Sequence, residues 1–563
     1  MKSELNNRSA LTATALVSLA ATVCLIWIHD GRMLHPDIAQ AISAAQNLLA
    51  GNGYSTSLLY YEEHYRQDAW PAPQTVFPIG FPALIAALGA VGVPFRLGAQ
   101  ILSATGFALM PLLICLTALR LGGKPTTAVF LAVFWLCVPL NWHNVLEKQT
   151  EMLFMSATLC AVIVLNHKEL TTRRLLLAGL FSAIAVLLRY AGVFWILAAS
   201  LSIAFVSIRC PALLIRRCVL FTALPGLVVG IAFWRNSLLT GNLRGGSETI
   251  VLKSTRAALA NVYFAASRLT GLDQDDLSRG ALAEMLVLGG MLLLLATALR
   301  FLFLRTRNVP RHPEHSVTAG MASVYAYPCV SLLLLTRLEQ ATSINLSPRM
   351  LLPLVPFVLL AGAHAVSRML TAFQSSGITV RVTQLAASAI SVGLLLACSD
   401  AYRDVKKQVP RLGLVADAMG RPLVEENLLP GFSVIPWAPT SLAGSPATPA
   451  DFIRGRRILT NEPHMLPEVM HTGGVGLTAD VYTSRVWSSD EVLSLVRKYQ
   501  LDVVVVFTQI PEPEPNPFFE LLVADRAFEA TPEWLTPIIA TRELVVFIVP
   551  EIADSPVRVT TVR

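Results

Sequence analysis

Charged side chains are scarce in this sequence. Asp, Glu, Lys and Arg make up 14% of its 563 residues, against about 25% in an ordinary soluble domain. The shortage excludes one large soluble body, because a single hydrophobic core stops growing near ~250–300 residues. Paired cysteines are lacking as well. The eight cysteines are Cys24, Cys115, Cys137, Cys160, Cys210, Cys218, Cys329 and Cys398, all in or beside apolar runs. None forms a CxxC pair and none follows residue 400, so neither a zinc knuckle nor a disulfide framework is indicated. The segment after residue 400 has to be held by its own core. No internal repeat is visible, and that absence counts against a transporter or flippase, which typically carries repeats and broken helices at the bilayer midplane.

What the sequence does have is apolar length. Hydrophobic residues make up 54% of the chain and arrive in runs such as Ala10–Ile28 and Ala281–Leu304. Runs of ~18 or more read as membrane spans. The first exceeds the ~7–15 apolar residues of a signal peptide and has no small-residue cleavage site before Asp30, so it reads as a retained helix. The net charge of +7 sits mainly in short loops between runs. It reports membrane orientation rather than a nucleic-acid partner.

The runs fall at roughly 8–28, 98–119, 126–142, 152–166, 175–188, 191–208, 217–234, 282–304, 319–336, 350–367 and 384–399, which makes about eleven spans. A further run at 79–95 is short, follows Pro78 and contains Pro82 and Pro94. Charge placement decides it. If 79–95 does not cross and the N-terminus is cytoplasmic, the inner loops hold Arg120 and Lys124, Lys168, Arg173 and Arg174, Arg209, Arg216 and Arg217, Arg305, Arg307 and Arg311, Arg368 and Arg381. If it crosses, only Lys148, Arg189, Arg337 and Arg349 remain inside. The positive-inside bias favours the first arrangement. Segment 79–95 is then juxtamembrane or re-entrant, and residues 401–563 lie outside.

The expected fold class is therefore a polytopic α-helical membrane protein with a C-terminal soluble α/β domain. The division is 1–400, a multi-span domain that includes outer loop 29–97, and 401–563, an extracytoplasmic domain. Within the latter, Leu501–Phe507 and Leu544–Val549 are β-branched runs that predict buried strands. Ser488–Tyr499 has helical spacing, with Ser488 or Ser489 as the cap and Glu491 in the first turn. Pro511–Pro517 reads as a loop.

Loop 29–97 carries the most information. After His35-Pro36-Asp37, the residues Ile38, Ala41, Ile42, Ala45, Leu48 and Leu49 fall on one helical face, and Gly51-Asn52-Gly53 stops the helix. Asp37 stands at the start of that helix, which is expected to lie on the outer membrane surface. A carboxylate there accepts free backbone N–H groups and stays ionised. A helix cap and a functional acid both account for it.

Several ordered pieces of the chain resemble the GT-C glycosyltransferases. They look most like the bacterial branch akin to protein O-mannosyltransferases and aminoarabinose transferases. These pieces are Asp37 with Ala45–Tyr54 and Phe77–Leu84, Thr150-Glu151-Met152-Leu153-Phe154, and Arg189-Tyr190-Ala191-Gly192. Pro348-Arg349-Met350-Leu351-Leu352-Pro353, with Met350 where tyrosine is usual, and Thr460-Asn461-Glu462-Pro463 complete the set. The resemblance implies transfer of a sugar from a polyprenyl-phosphate carrier to a lipid, glycan or protein acceptor at the outer face of the plasma (inner) membrane. It makes Asp37 the general base for the acceptor hydroxyl, or an acid that helps hold a divalent metal. A positioned base is worth roughly 10²–10⁴-fold. Some relatives have two adjacent acids here; this chain has one.

The leaving group in such a reaction is a lipid phosphate, whose charge calls for Arg forks that grip two oxygens. Arg189, with Tyr190, and Arg349 are the candidates, both expected at the outer ends of spans; Arg235 and Lys148 lie at that depth too. The competing explanation for each is a charge that snorkels to the headgroups. Glu151 is a further candidate site acid, since an interfacial acid is a functional candidate by default, whereas Glu147 reads as solvated loop. Glu62, Glu63, His64 and Asp68 read as a polar loop tip rather than a metal site. Asp273-Gln274-Asp275-Asp276 contains a DxD pattern that a helix start explains equally well. The rival readings are an O-antigen-type ligase or polymerase, a lipid-linked-sugar transporter or flippase, and a non-catalytic membrane scaffold.

Overall fold

The computed structural model describes residues 2–28, 34–60, 62–65, 67–208, 210–243, 245, 253–270, 317–341, 347–372, 411–421, 448–454, 456–462, 466, 474–476, 487–508, 517–524 and 531–553. The expected spans 282–304 and 384–399, the run Asp273–Asp276, Pro463 and most of Pro511–Pro517 lie outside the described residues.

In chain order the helices begin with α1 (Lys2–Ile28), α2 (Pro36–Leu49), α3 (Glu62–Tyr65), α4 (Gly80–Ala90), α5 (Phe95–Arg120), α6 (Pro125–Leu136) and α7 (Pro139–Leu146). They continue with α8 (Glu151–Leu165), α9 (Thr172–Leu188), α10 (Gly192–Ser207), α11 (Pro211–Thr240), α12 (Thr255–Thr270), α13 (Ala319–Ala341), α14 (Pro348–Leu351) and α15 (Val355–Ala372). The C-terminal helices are α16 (Arg411–Gly420), α17 (Pro449–Ile453), α18 (Ser489–Tyr499), α19 (Pro517–Ala524) and α20 (Pro550–Ala553). The strands are β1 (Ser55–Thr56), β2 (Leu58–Leu59), β3 (Ala72–Pro73), β4 (Ile458–Thr460), β5 (Gly474–Gly476), β6 (Val503–Phe507), β7 (Thr536–Ala540) and β8 (Leu544–Ile548). They pack as two compact units: residues 1–29, 100–232 and 250–408 in the first, and residues 30–99, 233–249 and 409–563 in the second.

The described part of the first unit is helical. Among the described residues five helices are long and apolar enough to cross a membrane, or six if a bent pair counts as one. Helices α8, α9 and α10 occupy three further apolar runs but have 15, 17 and 16 residues, or about 22–26 Å against a ~30 Å hydrocarbon core. The run at 126–142, expected as one span, is the bent pair: its halves meet at 57°. Proline is the cause. Pro139 has no N–H to continue the helix, and it pushes Val138 to an extended ψ of 113°. Two side chains recover the carbonyls left open by the break. Asn141 donates to Trp135 O at 2.7 Å and Trp142 Nε1 to Leu136 O at 2.6 Å. Deeper in the unit Trp195, Tyr327 and Phe357 interlock, with ring centroids 4.6–5.8 Å apart. Trp195 also donates to Ser182 Oγ at 2.9 Å. These contacts fix α9, α10, α13 and α15 against one another.

In the second unit α2 runs from Pro36 to Leu49, as its spacing predicts, and Gly51 and Gly53 end it with φ of +81° and +70°, left-handed angles that glycine adopts freely. It is not a one-faced surface helix. Gln40, Ser43 and Asn47 are buried along with the apolar face, while Leu49 is 47% exposed. The polar side is covered by the rest of the loop: Asn47 donates to Ser57 Oγ at 3.1 Å, Ser57 N to Ser43 Oγ at 2.9 Å, and Gln74 to Gln40 Oε1 at 3.0 Å. Segment 79–95 forms the 11-residue α4, too short by itself for a ~30 Å core at 1.5 Å per residue.

The C-terminal sheet has six strands in the order β2-β5-β4-β6-β8-β7. The first four are parallel, β8 is antiparallel to β6, and β7 is antiparallel to β8. β6 and β8 are buried along their whole length, as their β-branched runs predict. Ser488 and Glu491 cap α18 reciprocally. Among the strands not foreseen is β2, which comes from loop 29–97 and pairs with β5, placing Leu58 opposite Gly474. Leu59, Tyr65 and Ala72 of that loop enter the core beside Leu459, Val496, Val504 and Phe547. The loop expected with the membrane-spanning residues thus packs with residues 409–563, because the sheet needs its strand.

Candidate active site

The approach to the site begins at the end of α7. Lys148 adopts a left-handed φ of 64°, the usual helix-ending conformation, which a lysine rarely takes. Its N–H bonds to Val145 O and that of Gln149 to Asn144 O, at 2.9 and 2.8 Å. The chain then turns into α8 with Glu151 in the first turn. From another direction α9 ends at Arg189, whose extended backbone breaks the helix. α10 restarts at Gly192, where a Cβ would meet Val186 N at 2.7 Å, so that glycine permits the hairpin. Arg349 follows Pro348 in the single turn of α14.

These three elements bring Glu151, Arg189 and Arg349 together. Glu151 is fully buried, and its Oε1 accepts from Arg189 Nη1 at 2.5 Å and from Arg349 Nε. The two arginine side chains remain 21% and 19% exposed. Arg189 also donates to Thr150 Oγ1 at 3.3 Å. Glu151 Oε2 is buried and makes no hydrogen bond. Two guanidinium groups thus share one carboxylate oxygen, and each keeps part of its side chain exposed. Tyr190 stands half-buried in the turn between α9 and α10.

The neighbouring candidates are placed differently from expectation. Glu147 is no solvated loop residue: it lies 3.2 Å from His143 Nε2, accepts from Gln149 at 2.5 Å and is 17% exposed. Lys148 does not snorkel; its side chain is fully buried, with Nζ 3.4 Å from Leu146 O.

Asp37 belongs to the second unit. The cap of α2 is His35, whose Nδ1 accepts the Asp37 N–H at 3.2 Å and lies 3.5 Å from Asp37 Oδ2. The Asp37 side chain is 20% exposed, so it keeps a face toward solvent. Arg235, in the same unit, ties down the loop: it donates to Gln74 O at 2.8 Å and Tyr54 O at 3.0 Å and stacks over the Tyr54 ring. Of the polar tip expected at Glu62, Glu63, His64 and Asp68, His64 departs from expectation. His64 is fully buried, and burial lowers its pKa to about 4. Asp68 is solvent-exposed beside Lys498 Nζ at 3.2 Å. Among the described residues no three His, Cys, Asp or Glu side chains gather as metal ligands. Asn461 bridges strands, exchanging two 2.9 Å hydrogen bonds with Phe507.

Sequence reasoning passed over a second buried carboxylate in the first unit. Glu339, near the end of α13, is fully buried, and its Oε1 accepts from Lys253 Nζ at 2.7 Å and Asn261 Nδ2 at 2.6 Å. Its Oε2 is buried with no hydrogen bond. An acid just past the apolar run 319–336 was the available signal.

No family model and no curated protein sequence matches the chain. Solved structures do. The archaeal oligosaccharyltransferase AglB from Archaeoglobus fulgidus, in complex with an inhibitory peptide and a dolichol-phosphate, matches at a TM-score of 0.53 and 14% identity, over 89% of this chain and 69% of that one. ArnT from Cupriavidus metallidurans bound to undecaprenyl phosphate matches at 0.52 and 11% identity, over 95% of this chain and 97% of that one. Its apo state matches at 0.52 and 12% identity, over 95% and 98%. At these identities the likeness is one of fold: the chain has the GT-C fold, with apolar helices and a C-terminal region that contains a sheet.

Proposed function

We propose that the chain is a membrane glycosyltransferase that moves a sugar from a polyprenyl-phosphate carrier to an acceptor at the extracytoplasmic face of the plasma membrane. The observation that carries this reading is the cluster in which Arg189 and Arg349 share the single buried carboxylate of Glu151. Guanidinium forks suit a phosphate monoester or diester, and Glu151 holds both of them in place before substrate arrives. As the acceptor oxygen attacks the sugar carbon, the bond from that carbon to the phosphate oxygen breaks. The electron pair stays on the phosphate, where the arginines stabilise it. Asp37 takes the acceptor's proton. The acceptor is a lipid, glycan or protein bearing a nucleophile.

Residues 1–400 serve as the membrane-spanning part and residues 401–563 as the extracytoplasmic part, joined by loop 29–97. The pairing of β2 with β5 supports a common side for the loop and the C-terminal domain, and the basic loops support the outside for both. A membrane-impermeant maleimide applied to intact cells should label both Asp68→Cys and Asp490→Cys; protection of both would reverse the orientation. The central test is mass spectrometry of envelope glycolipids and glycoproteins from cells with and without the protein. Loss of one sugar-bearing product, with accumulation of a polyprenyl-phosphate sugar, is expected. Identical profiles would overturn the proposal.

A further inference from the structure

At the ends of α8 and α9 away from Glu151 and Arg189, the first unit gathers cations without pairing them. Arg120 ends α5, and Lys168 lies in the turn between α8 and α9. Arg173 and Arg174 stand in the first turn of α9, and Arg216 and Arg217 in the second turn of α11. Their contacts are with neutral groups. Arg120 Nη1 lies 3.3 Å from His167 Nε2, Arg174 donates to Glu169 O at 2.8 Å, Arg216 to Thr172 Oγ1 at 3.4 Å and Arg217 to Ser207 Oγ at 2.9 Å. Among the described residues none of these cations makes an ion pair. Glu169, the acid within this stretch, lends its backbone carbonyl rather than its carboxylate. The His167 pKa is lowered, first by burial and then by the charges of Arg174 and Arg120.

This placement works against the helices themselves. A helix N-terminus carries a partial positive charge, so cations in the first turn of α9 are repelled there, and like charges crowded at one surface repel one another. Orientation in the membrane calls for basic residues in such loops; it does not call for three connections of the chain to bring theirs together. A bound anion relieves the repulsion. The surroundings say which anion. Helices α9 and α11 approach closely just inward of the cations, where a Cβ at Gly179 would meet Phe221 O at 2.6 Å. Past the cations, α9 exposes Leu176 and Leu180, and α11, long and apolar enough to cross a membrane, exposes Val219 and Leu224. Cations at the end of an apolar span sit at headgroup depth. A free phosphate or an acidic peptide matches the cations alone, whereas an anion with apolar chains matches the cations and the leucines together.

We propose that these ends of α5, α9 and α11 bind an acidic phospholipid, its phosphodiester among Arg120, Arg174 and Arg216 and its acyl chains along α9 and α11. The site is separate from the Glu151 cluster, because the 15 residues of α8 put about 22 Å between them.

The test is binding to the full-length protein in an uncharged detergent, with phosphatidylglycerol compared against phosphatidylcholine, whose headgroup has no net charge. The wild type should hold phosphatidylglycerol about tenfold or more tightly, and the preference should shrink as salt rises. Arg174→Gln with Arg216→Gln should bring the two lipids within about threefold of each other. Each single variant should lower the preference about threefold, so the singles decide the matter if the double variant fails to fold. Arg337→Gln removes the same charge from an exposed arginine near the end of α13 and should leave the preference unchanged. Equal binding of the two lipids by the wild type would overturn the proposal. So would a preference that the cluster variants keep, or one that Arg337→Gln lowers as much as they do. Displacement of phosphatidylglycerol by an equal concentration of glycerophosphoglycerol, the same diester without acyl chains, would assign the cations to a water-soluble phosphate and overturn the lipid as occupant.

Discussion

The two units of this chain hold their buried polar groups differently. In the first, two buried carboxylates are matched to cations, Glu151 to Arg189 and Arg349 and Glu339 to Lys253, while buried Lys148 reaches the Leu146 carbonyl. In the second, polar side chains mostly meet backbone. Arg235 meets two carbonyls, Asn461 the end of β6, and the Tyr499 hydroxyl donates toward the carbonyls of His64, Tyr65 and Gln67 at 2.9–3.2 Å. His64, fully buried there, is held toward the neutral form. The difference teaches where each unit is vulnerable. Removing one partner of a buried ion pair strands the other, whereas backbone partners remain whatever the side chain becomes.

The harshest way to break the contrast is Glu151→Ala. Two partly buried guanidinium groups would lose their common counter-charge, a loss of about 3–5 kcal/mol for a buried pair. Thermal unfolding of the detergent-solubilised variant should show the drop, and a melting curve like the wild type's would mean that water already compensates the arginines. Asp37→Asn should do the reverse. Asn fits the helix start about as well as Asp, so folding should survive while sugar transfer falls roughly 10²–10⁴-fold. Transfer near the wild-type rate would leave Asp37 a helix-start residue and nothing more.

A gentler probe is pH. The folded pKa of His64 is lowered to about 4, below the ordinary histidine value of 6.5, because burial disfavours its charged form. The unfolded chain therefore binds more protons between those values, and stability present above pH 6.5 is lost as pH falls toward 4. Between pH 6.5 and 5 the loss from this residue is on the order of 2 kcal/mol. His64→Phe keeps a ring in the core and should flatten that part of the melting profile. An unchanged acid slope would assign it to other groups. Smallest is the effect of Arg189→Lys and Arg349→Lys, each expected to cost roughly tenfold in transfer, because an ammonium keeps the charge but loses the planar fork. A rise in KM would place the contact in the bound donor and a fall in kcat would place it in the departing phosphate. Unchanged kinetics in both variants would remove these arginines from the phosphate site.

Local signals in the sequence were legible and long-range ones were not. The α18 cap, the strands at 503–507 and 544–548 and the glycine stop of α2 follow from residues within a few positions of one another. Glu151, Arg189 and Arg349 were picked out separately by motif and depth; that they share one oxygen depends on a fold that brings together residues 198 positions apart. Lys253 drew no notice because nothing near it in sequence suggests a partner 86 residues on. His64 was misread because a histidine beside acids in a loop looks solvated until a core closes over it. Two residues, Leu58 and Leu59, are too few to announce a strand.

That short strand has a consequence in time. β2 is made early in synthesis, and its partner β5 follows more than four hundred residues later. At roughly 5–20 residues per second, the first loop waits on the order of 20–80 s for the strand that completes its pairing. During that interval the backbone groups of Leu58 and Leu59 are an unpaired edge, and Tyr65 and Ala72 lack the core they later enter. The early part of the chain is thus committed to a structure that only its last quarter can finish, and release of the chain before β5 would leave the loop without its sheet.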